Sequence, residues 1–368
     1  MKRIALFISS LQKGGSERVM VNLAEYFHEQ KYEVILVTQY KKENEYDILP
    51  QIRRVYSEPS EEELQGGRIH NFKARFRALR SIWVNYKPDV ILAFLGKNNM
   101  MAILTAAFLP SRVVVSVRGE PTMEYAGKFQ QLLAKWLFRY ADGVVLQTER
   151  AKDFFPKAVR RKAVIMSNPL NPDFLNKSIS TEVEKENLIV AAGRLDENKN
   201  HAMLIHAFAK IASEFPNTKV IIYGEGESRS ELEALCREKE LQDRILLPGS
   251  VSDVASHIIK AKIFVLTSNT EGMPNSVMEA MAMGLPVIST DCPCGGPAML
   301  IQNGENGVLV PVGDAYALAD AMRRILTDEE FAAKLGENAI RIREDLAPWK
   351  VNKEWENYLA KIVGTGKV

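Results

Sequence analysis

No apolar run in this 368-residue chain approaches the ~18 residues that a membrane-spanning helix requires. The chain enters an apolar strand at Arg3 with no signal-peptide pattern before it, so a cytosolic protein is expected. Cysteine is scarce: Cys236, Cys292 and Cys294 make no even disulfide framework. Cys292 and Cys294 lack the second pair that a structural zinc site needs, which leaves reduced thiols as the expectation. His201, His206 and His257 show no ligand spacing, and no Asp-x-Asp triplet occurs. The sequence therefore calls for no divalent metal and no cofactor. The first glycine turn lacks the full G-x-G-x-x-G pattern, so nicotinamide binding is not supported.

What is present is ordinary in bulk and uneven in distribution. The length suggests about two domains, and 46% hydrophobic with 26% charged residues suits a soluble globular enzyme. The net charge of +2 conceals an asymmetry. Residues 1–168 carry 27 Lys and Arg against 17 Asp and Glu, a net of +10, and the remainder carries −8. An anionic partner for the first half follows, either nucleic acid or an anionic membrane surface.

Residues 271–290 organise the rest. A turn at Glu271-Gly272-Met273-Pro274 opens a helix for which Asn275 and Ser276 are the N-cap candidates. That helix carries Glu279, stops at Gly284 and leads into a short buried strand. Amides from Gly272 to Ser276 at a helix N-terminus suit a phosphate or diphosphate. The flanking carboxylates of Glu271 and Glu279 suit hydroxyls, a sugar on one side and a ribose on the other. A merely capped helix with one exposed Glu has the same spacing.

The first half alternates strands and helices from residue 3 onward, which implies a doubly wound parallel sheet with its site at the carboxyl ends of the strands. Gly14-Gly15 forms the first turn, with Ser16 as the expected helix cap. In residues 66–86, Phe72, Phe76, Leu79 and Trp83 form an apolar stripe, and Lys73, Arg77 and Arg80 lie beside it. Such a helix is either an ordinary surface helix with a solvated basic face or one that lies on a membrane. Arg118 follows a strand at the expected cleft mouth, where a surface salt bridge to Glu120 or Glu124 is the plain alternative to ligand binding. Residues 167–172 break the pattern with two prolines, and a second α/β series follows. Within it, Gly193, Arg194 and Lys199 occupy a loop after a strand, and Val251 belongs to a loop at residues 248–253. The G-x-G at Gly224 and Gly226 reads as an ordinary strand-to-helix turn.

The two glutamates with seven residues between them resemble the E-x7-E segment of the retaining GT-B glycosyltransferases of family 4. GGSER near the start, RLDENKN at 194–200 and GENGVLVPVGD at 304–314 are similar to that family in the same order. The resemblance implies a GT-B fold of two Rossmann-like domains facing across a cleft. The domains would be 1–168, the acceptor and membrane side; 169–347, the nucleotide-sugar side; and 348–368, a helix crossing back. It implies a metal-independent retaining transfer from a nucleotide sugar, in particular UDP-GalNAc, UDP-galactose or UDP-glucose, to a lipid-linked saccharide. The relatives it brings nearest are bacterial N-acetylgalactosaminyl- and galactosyltransferases of lipid-linked oligosaccharide and capsule assembly.

Carried onto this chain, the family's pattern gives Arg194, Lys199 and Glu271 the catalytic roles. Gly14, Gly15, Gly193, Val251, Gly272, Met273, Pro274, Asn275, Ser276 and Glu279 would hold the donor. Arg118, Lys73, Arg77 and Arg80 would meet the acceptor at the inner face of the cytoplasmic membrane, with no role for nucleic acid. Arg118 stands where many relatives have a His, and an Arg cannot act as a general base. Two other classes fit parts of the sequence. One is a UDP-sugar 2-epimerase of similar fold, which needs a buried acid/base set. The other is a non-enzymatic membrane- or nucleic-acid-binding protein that uses the basic half.

Overall fold

The structure is a computed structural model, and residues 1–175, 183–251 and 253–364 are described. Ser252, part of the expected 248–253 loop, lies outside the described residues. The chain divides into two compact units: one comprises Met1–Asn168 with Trp349–Val368, the other Pro169–Pro348.

The first unit holds a seven-stranded, all-parallel sheet. Its strands are β1 (Arg3–Ile8), β2 (Glu33–Thr38), β3 (Arg53–Tyr56), β4 (Val90–Phe94), β5 (Arg112–Ser116), β6 (Gly143–Leu146) and β7 (Ala163–Ile165), in the order β3-β2-β1-β4-β5-β6-β7. The central strands read as unbroken apolar runs because helices cover both faces. Ile4 to Ile8 and Val90 to Phe94 have no exposed surface. The second unit repeats the plan with six parallel strands: β8 (Leu188–Ala192), β9 (Lys219–Tyr223), β10 (Ile245–Gly249), β11 (Ile263–Leu266), β12 (Val287–Thr290) and β13 (Val308–Val310), in the order β10-β9-β8-β11-β12-β13. Phe208, Ile222 and Phe264 are fully buried around it.

In each sheet the order turns back once, between β1 and β4 and between β8 and β11. Connections on the two sides of such a point leave in opposite directions, which opens a crevice at the strands' carboxyl ends. The fold is thus α/β of the doubly wound, GT-B type.

Several boundaries differ from the sequence reading. The first helix starts at Gly15 with Gly14 as its cap, so Ser16 lies inside the helix. The Asn275–Ala282 helix is capped by Pro274, and neither Asn275 nor Ser276 takes the cap position. Residues 329–345 carry two helices, Glu329–Ala339 and Ile342–Asp345. The helix Pro348–Gly364 packs Val351, Trp355 and Leu359 into the first unit. There Glu356 accepts hydrogen bonds from Tyr26 at 2.8 Å and Tyr32 at 2.9 Å.

Candidate active site

The crevice of the second unit lies between the loop after β8 and the loop after β11. Lys199, from the first, donates from Nζ to Glu271 Oε1, on the second, at 2.5 Å. Both side chains are mostly buried, at 16% and 13% exposed. Ser268 donates to the same carboxylate oxygen at 2.7 Å. An ammonium has three protons and a carboxylate about four lone-pair sites, so this pairing leaves both groups capacity for a ligand.

The two loops are stitched together by asparagines. Asn198 donates to Thr270 O at 3.0 Å and accepts from Thr270 N and Oγ1 at 3.1 and 2.7 Å. Asn200 donates to Asn269 Oδ1 at 3.0 Å, and Thr267 donates to Lys199 O at 2.9 Å. Asn200 adopts a left-handed backbone, φ 47°, a conformation Asn tolerates better than most residues. It also caps the His201–Ile211 helix through Met203 N.

Arg194 is not in this buried pair. Its side chain is 77% exposed and meets Asp196 at 3.0 Å, while Asp196 accepts from Lys199 N at 2.9 Å. His201 Nε2 lies 3.2 Å from Arg194 O. Burial, and after it the nearby Lys199 charge, lowers the His201 pKa to about 4, so this imidazole is neutral near pH 7 and donates from Nε2.

Glycines hold the loops at close range. A Cβ on Gly224 would lie 1.8 Å from Gly193 O, and one on Gly226 would lie 2.2 Å from Leu195 O. The G-x-G pair after β9 therefore supports the Gly193–Asn200 segment. A Cβ on Gly296 would lie 1.3 Å from Gly272 O. At the start of the Asn275–Ala282 helix, Pro274 offers no side-chain oxygen to the first-turn amides. Gly272, Met273 and Pro274 are buried, Asn275 and Ser276 half-buried, and Glu279 is 8% exposed on the same helix. Val251 is half-buried beyond β10.

The remaining expected site residues belong to the first unit. Gly14 and Gly15 open its first helix. On the Arg68–Tyr86 helix, Lys73 and Arg77 are exposed. Arg80 is not; its guanidinium donates to Thr105 O and Ala107 O at 2.7 and 2.9 Å. Phe72 is 48% exposed, whereas Leu79 and Trp83 are buried, so the apolar stripe is divided between core and surface.

Arg118 makes no surface salt bridge. It is 7% exposed, lies 4.6 Å over the Phe94 ring and donates to Asn168 Oδ1. Burial lowers its pKa to about 9. Burial also raises Glu124 to about 7, although the Arg118 amide and charge favour its ionised form. Sequence reasoning missed Asn198, Asn200, Ser268 and Gly296. The first two stand within the quoted RLDENKN motif, but a partner some seventy residues away leaves no local trace.

All three cysteines are free and buried. Among the described residues no group of three or more His, Cys, Asp or Glu could hold a metal ion, and no helix is long and apolar enough to cross a membrane.

Comparison with known proteins agrees with this architecture. A Campylobacter jejuni enzyme is 28% identical over 98% of this chain and 99% of its own. It is described as GalNAc-alpha-(1->4)-GalNAc-alpha-(1->3)-diNAcBac-PP-undecaprenol alpha-1,4-N-acetyl-D-galactosaminyltransferase. A second C. jejuni enzyme, an N-acetylgalactosamine-N,N'-diacetylbacillosaminyl-diphospho-undecaprenol 4-alpha-N-acetylgalactosaminyltransferase, is 28% identical over 90% of this chain and 92% of its own. Among solved structures, Anabaena HepE in complex with UDP superimposes with TM-score 0.83 at 18% identity, covering 98% of this chain and all of that one. Sucrose-phosphate synthase from Thermosynechococcus elongatus gives 0.82 at 20%, covering 99% and 100%. The model of glycosyltransferase family 4 matches residues 13–174, and that of glycosyl transferases group 1 matches residues 174–342. With one model on each sheet and the two meeting at residue 174, the chain belongs to the group 1, family 4 glycosyltransferases.

Proposed function

We propose that the protein transfers a sugar, with retention, from a nucleotide sugar to a hydroxyl of a lipid-linked saccharide in cell-surface glycan synthesis. The observation that carries this reading is the Lys199–Glu271 contact at the β8/β11 crevice, beside a helix N-terminus without a side-chain cap. A diphosphate there meets the Lys199 ammonium and the positive end of the helix dipole. Arg194, exposed at the rim, adds a second cation as negative charge builds on the departing diphosphate. Glu271 keeps acceptor capacity for a sugar hydroxyl, and Glu279 is assigned the ribose hydroxyls. Gly193, Val251 and residues 272–276 line the donor, and Gly14-Gly15 is assigned to its diphosphate. No metal is given a role. The acceptor attacks from the face the diphosphate leaves, assisted by that diphosphate, as in the family.

The donor is assigned as a UDP-sugar, UDP-GalNAc before UDP-galactose or UDP-glucose. The names of the two Campylobacter relatives support both GalNAc and a lipid-diphosphate acceptor. The first unit is assigned the acceptor, with Lys73 and Arg77 as its exposed cations and Arg80 and Arg118 as positioning residues. The protein then works as a peripheral enzyme on an anionic membrane.

The test is a thermal-shift and turnover panel of UDP- and GDP-sugars on wild type and Lys199→Ala. A ligand at a hundred times its Kd stabilises by about 2.7 kcal/mol. UDP-GalNAc is expected to shift the wild type most. Lys199→Ala is expected to lose roughly 10²–10³-fold in kcat, the scale of a lost charge-stabilising group, while melting within a few degrees of wild type. A variant with unchanged turnover would refute the site.

A further inference from the structure

We infer that the outer face of the Lys128–Leu137 helix, together with the Phe108 loop, is the surface by which this protein lies on an anionic lipid bilayer. The inference rests on the lipid-linked acceptor proposed above and names a different surface from the basic helix that the sequence suggested. The Lys128–Leu137 helix is apolar on two sides. Ala134 and Leu137 face the core and are 0% and 2% exposed. Phe129, Leu132 and Trp136 face outward and are 75%, 69% and 49% exposed. With Tyr140, 63% exposed, they recur at helical spacing as one stripe that nothing in the chain covers among the described residues.

A second observation stands apart from the helix. Phe108 is fully exposed and its φ is +64°, a left-handed conformation that a bulky side chain enters at a cost. The fold thus holds a phenyl ring outward at some expense. A groove of about 440 Å³ joins Phe108 to Trp136 and Tyr140, with Leu104 and Ala107 between them, so loop and helix form one patch. Scattered apolar side chains are normal on a surface, but a contiguous aromatic patch marks a contact. Trp and Tyr are the residues that settle best where one end is apolar and the other wet.

Charge selects the partner. Residues 125–141 contain Lys128, Lys135 and Arg139 and no acid, and Asp142, which lines the groove, is paired with Arg112 at 2.8 Å. On the helices Arg68–Tyr86 and Gly96–Thr105, Arg68, Lys73, Arg77 and Lys97 are exposed, and neither helix contains an acid. The helices Arg68–Tyr86, Gly96–Thr105 and Lys128–Leu137 pack side by side, which gathers these cations on neighbouring elements. A second copy of the chain would bring the same positive charge against itself. An anionic bilayer meets both halves of the requirement, taking the aromatic stripe below its headgroups and the cations among them.

The experiment is co-sedimentation of the full chain with phosphatidylglycerol/phosphatidylethanolamine vesicles and with phosphatidylcholine vesicles. The wild type is expected to bind the anionic vesicles, more weakly as salt rises, and to leave the neutral ones. The combined Phe129→Ser, Leu132→Ser, Trp136→Ser variant is expected to lose at least ten-fold in apparent affinity and to keep wild-type donor hydrolysis. If that variant fails to fold, Phe108→Ser, at a position with no packing to lose, is expected to weaken binding several-fold alone. Unchanged binding in the folded variants would overturn the inference. So would a wild-type dimer that the triple variant converts to monomer, since the patch would then be a self-association surface. A wild type that turns over a nucleotide sugar and never docks sinks the docking surface alone. One that docks and accepts no nucleotide sugar sinks the transferase reading alone.

Discussion

His201 is buried two residues along the chain from Lys199, whose charge it feels, and that neighbourhood makes it a reporter of the site. Its folded pKa of about 4 lies below the usual 6.5, so between those values the unfolded chain binds a proton that the folded chain does not. Stability contributed by this group is therefore full above pH ~6.5 and falls as the pH drops toward 4, by about 1.4 kcal/mol per pH unit. Glu124, raised to about 7, acts in the opposite direction in the other unit, so the contribution must be isolated. The His201 imidazole resonance is expected to titrate near pH 4. The difference in urea midpoint between wild type and His201→Asn is expected to shrink over the same range. An imidazole titrating at 6.5 would show the residue to be solvated. Lys199 and Glu271 were both named from the sequence, but their 2.5 Å contact was not readable from it. Seventy-two residues separate them, and only the adjacency of β8 and β11 closes that gap.

At the scale of elements, the site depends on loops held by their neighbours' backbones. The Gly296–Leu300 helix presses its first residue against Gly272 O, so Gly296→Ala must displace the segment that carries Glu271. That variant is expected to lower the melting temperature by several degrees and to weaken nucleotide-sugar binding at least ten-fold, measured by calorimetry. Wild-type affinity would mean that the turn relaxes without cost. The strands legible in the sequence are those buried on both faces, such as β1, β2, β8 and β9, because an unbroken apolar run leaves little ambiguity. β3, with the sequence RRVY and no buried residue, and β7, three half-buried residues long, carry no such signal. Helix caps were misread where a residue one or two places before the favoured Ser or Asn took the position, as at Gly14 and Pro274.

For the whole molecule, the alternation of strand and helix was enough to give two doubly wound sheets. Neither sheet's strand order was visible, because order depends on which crossover each helix makes. The chain's return is written in bulk aromatic residues. Trp355 has no exposed surface and lies 5.8 Å from Phe94 at the end of β4. Removing a buried ring of this size costs about 3–5 kcal/mol. Trp355→Ala is therefore expected to lower the melting transition of the first unit while leaving that of the second, followed by calorimetry with and without nucleotide sugar. A single transition shifted as a whole would show the two units to unfold together.

That last helix also sets an order of assembly. A ribosome releases the first sheet early and its final covering segment last. Residues 169–348 emerge with every strand of their own sheet already made and are free to complete themselves at once. The earlier-born unit waits through that synthesis, roughly ten to forty seconds at ordinary elongation rates. Throughout the delay the seat of Trp355 stands bare, and the unit whose sheet is made earlier is the one completed later.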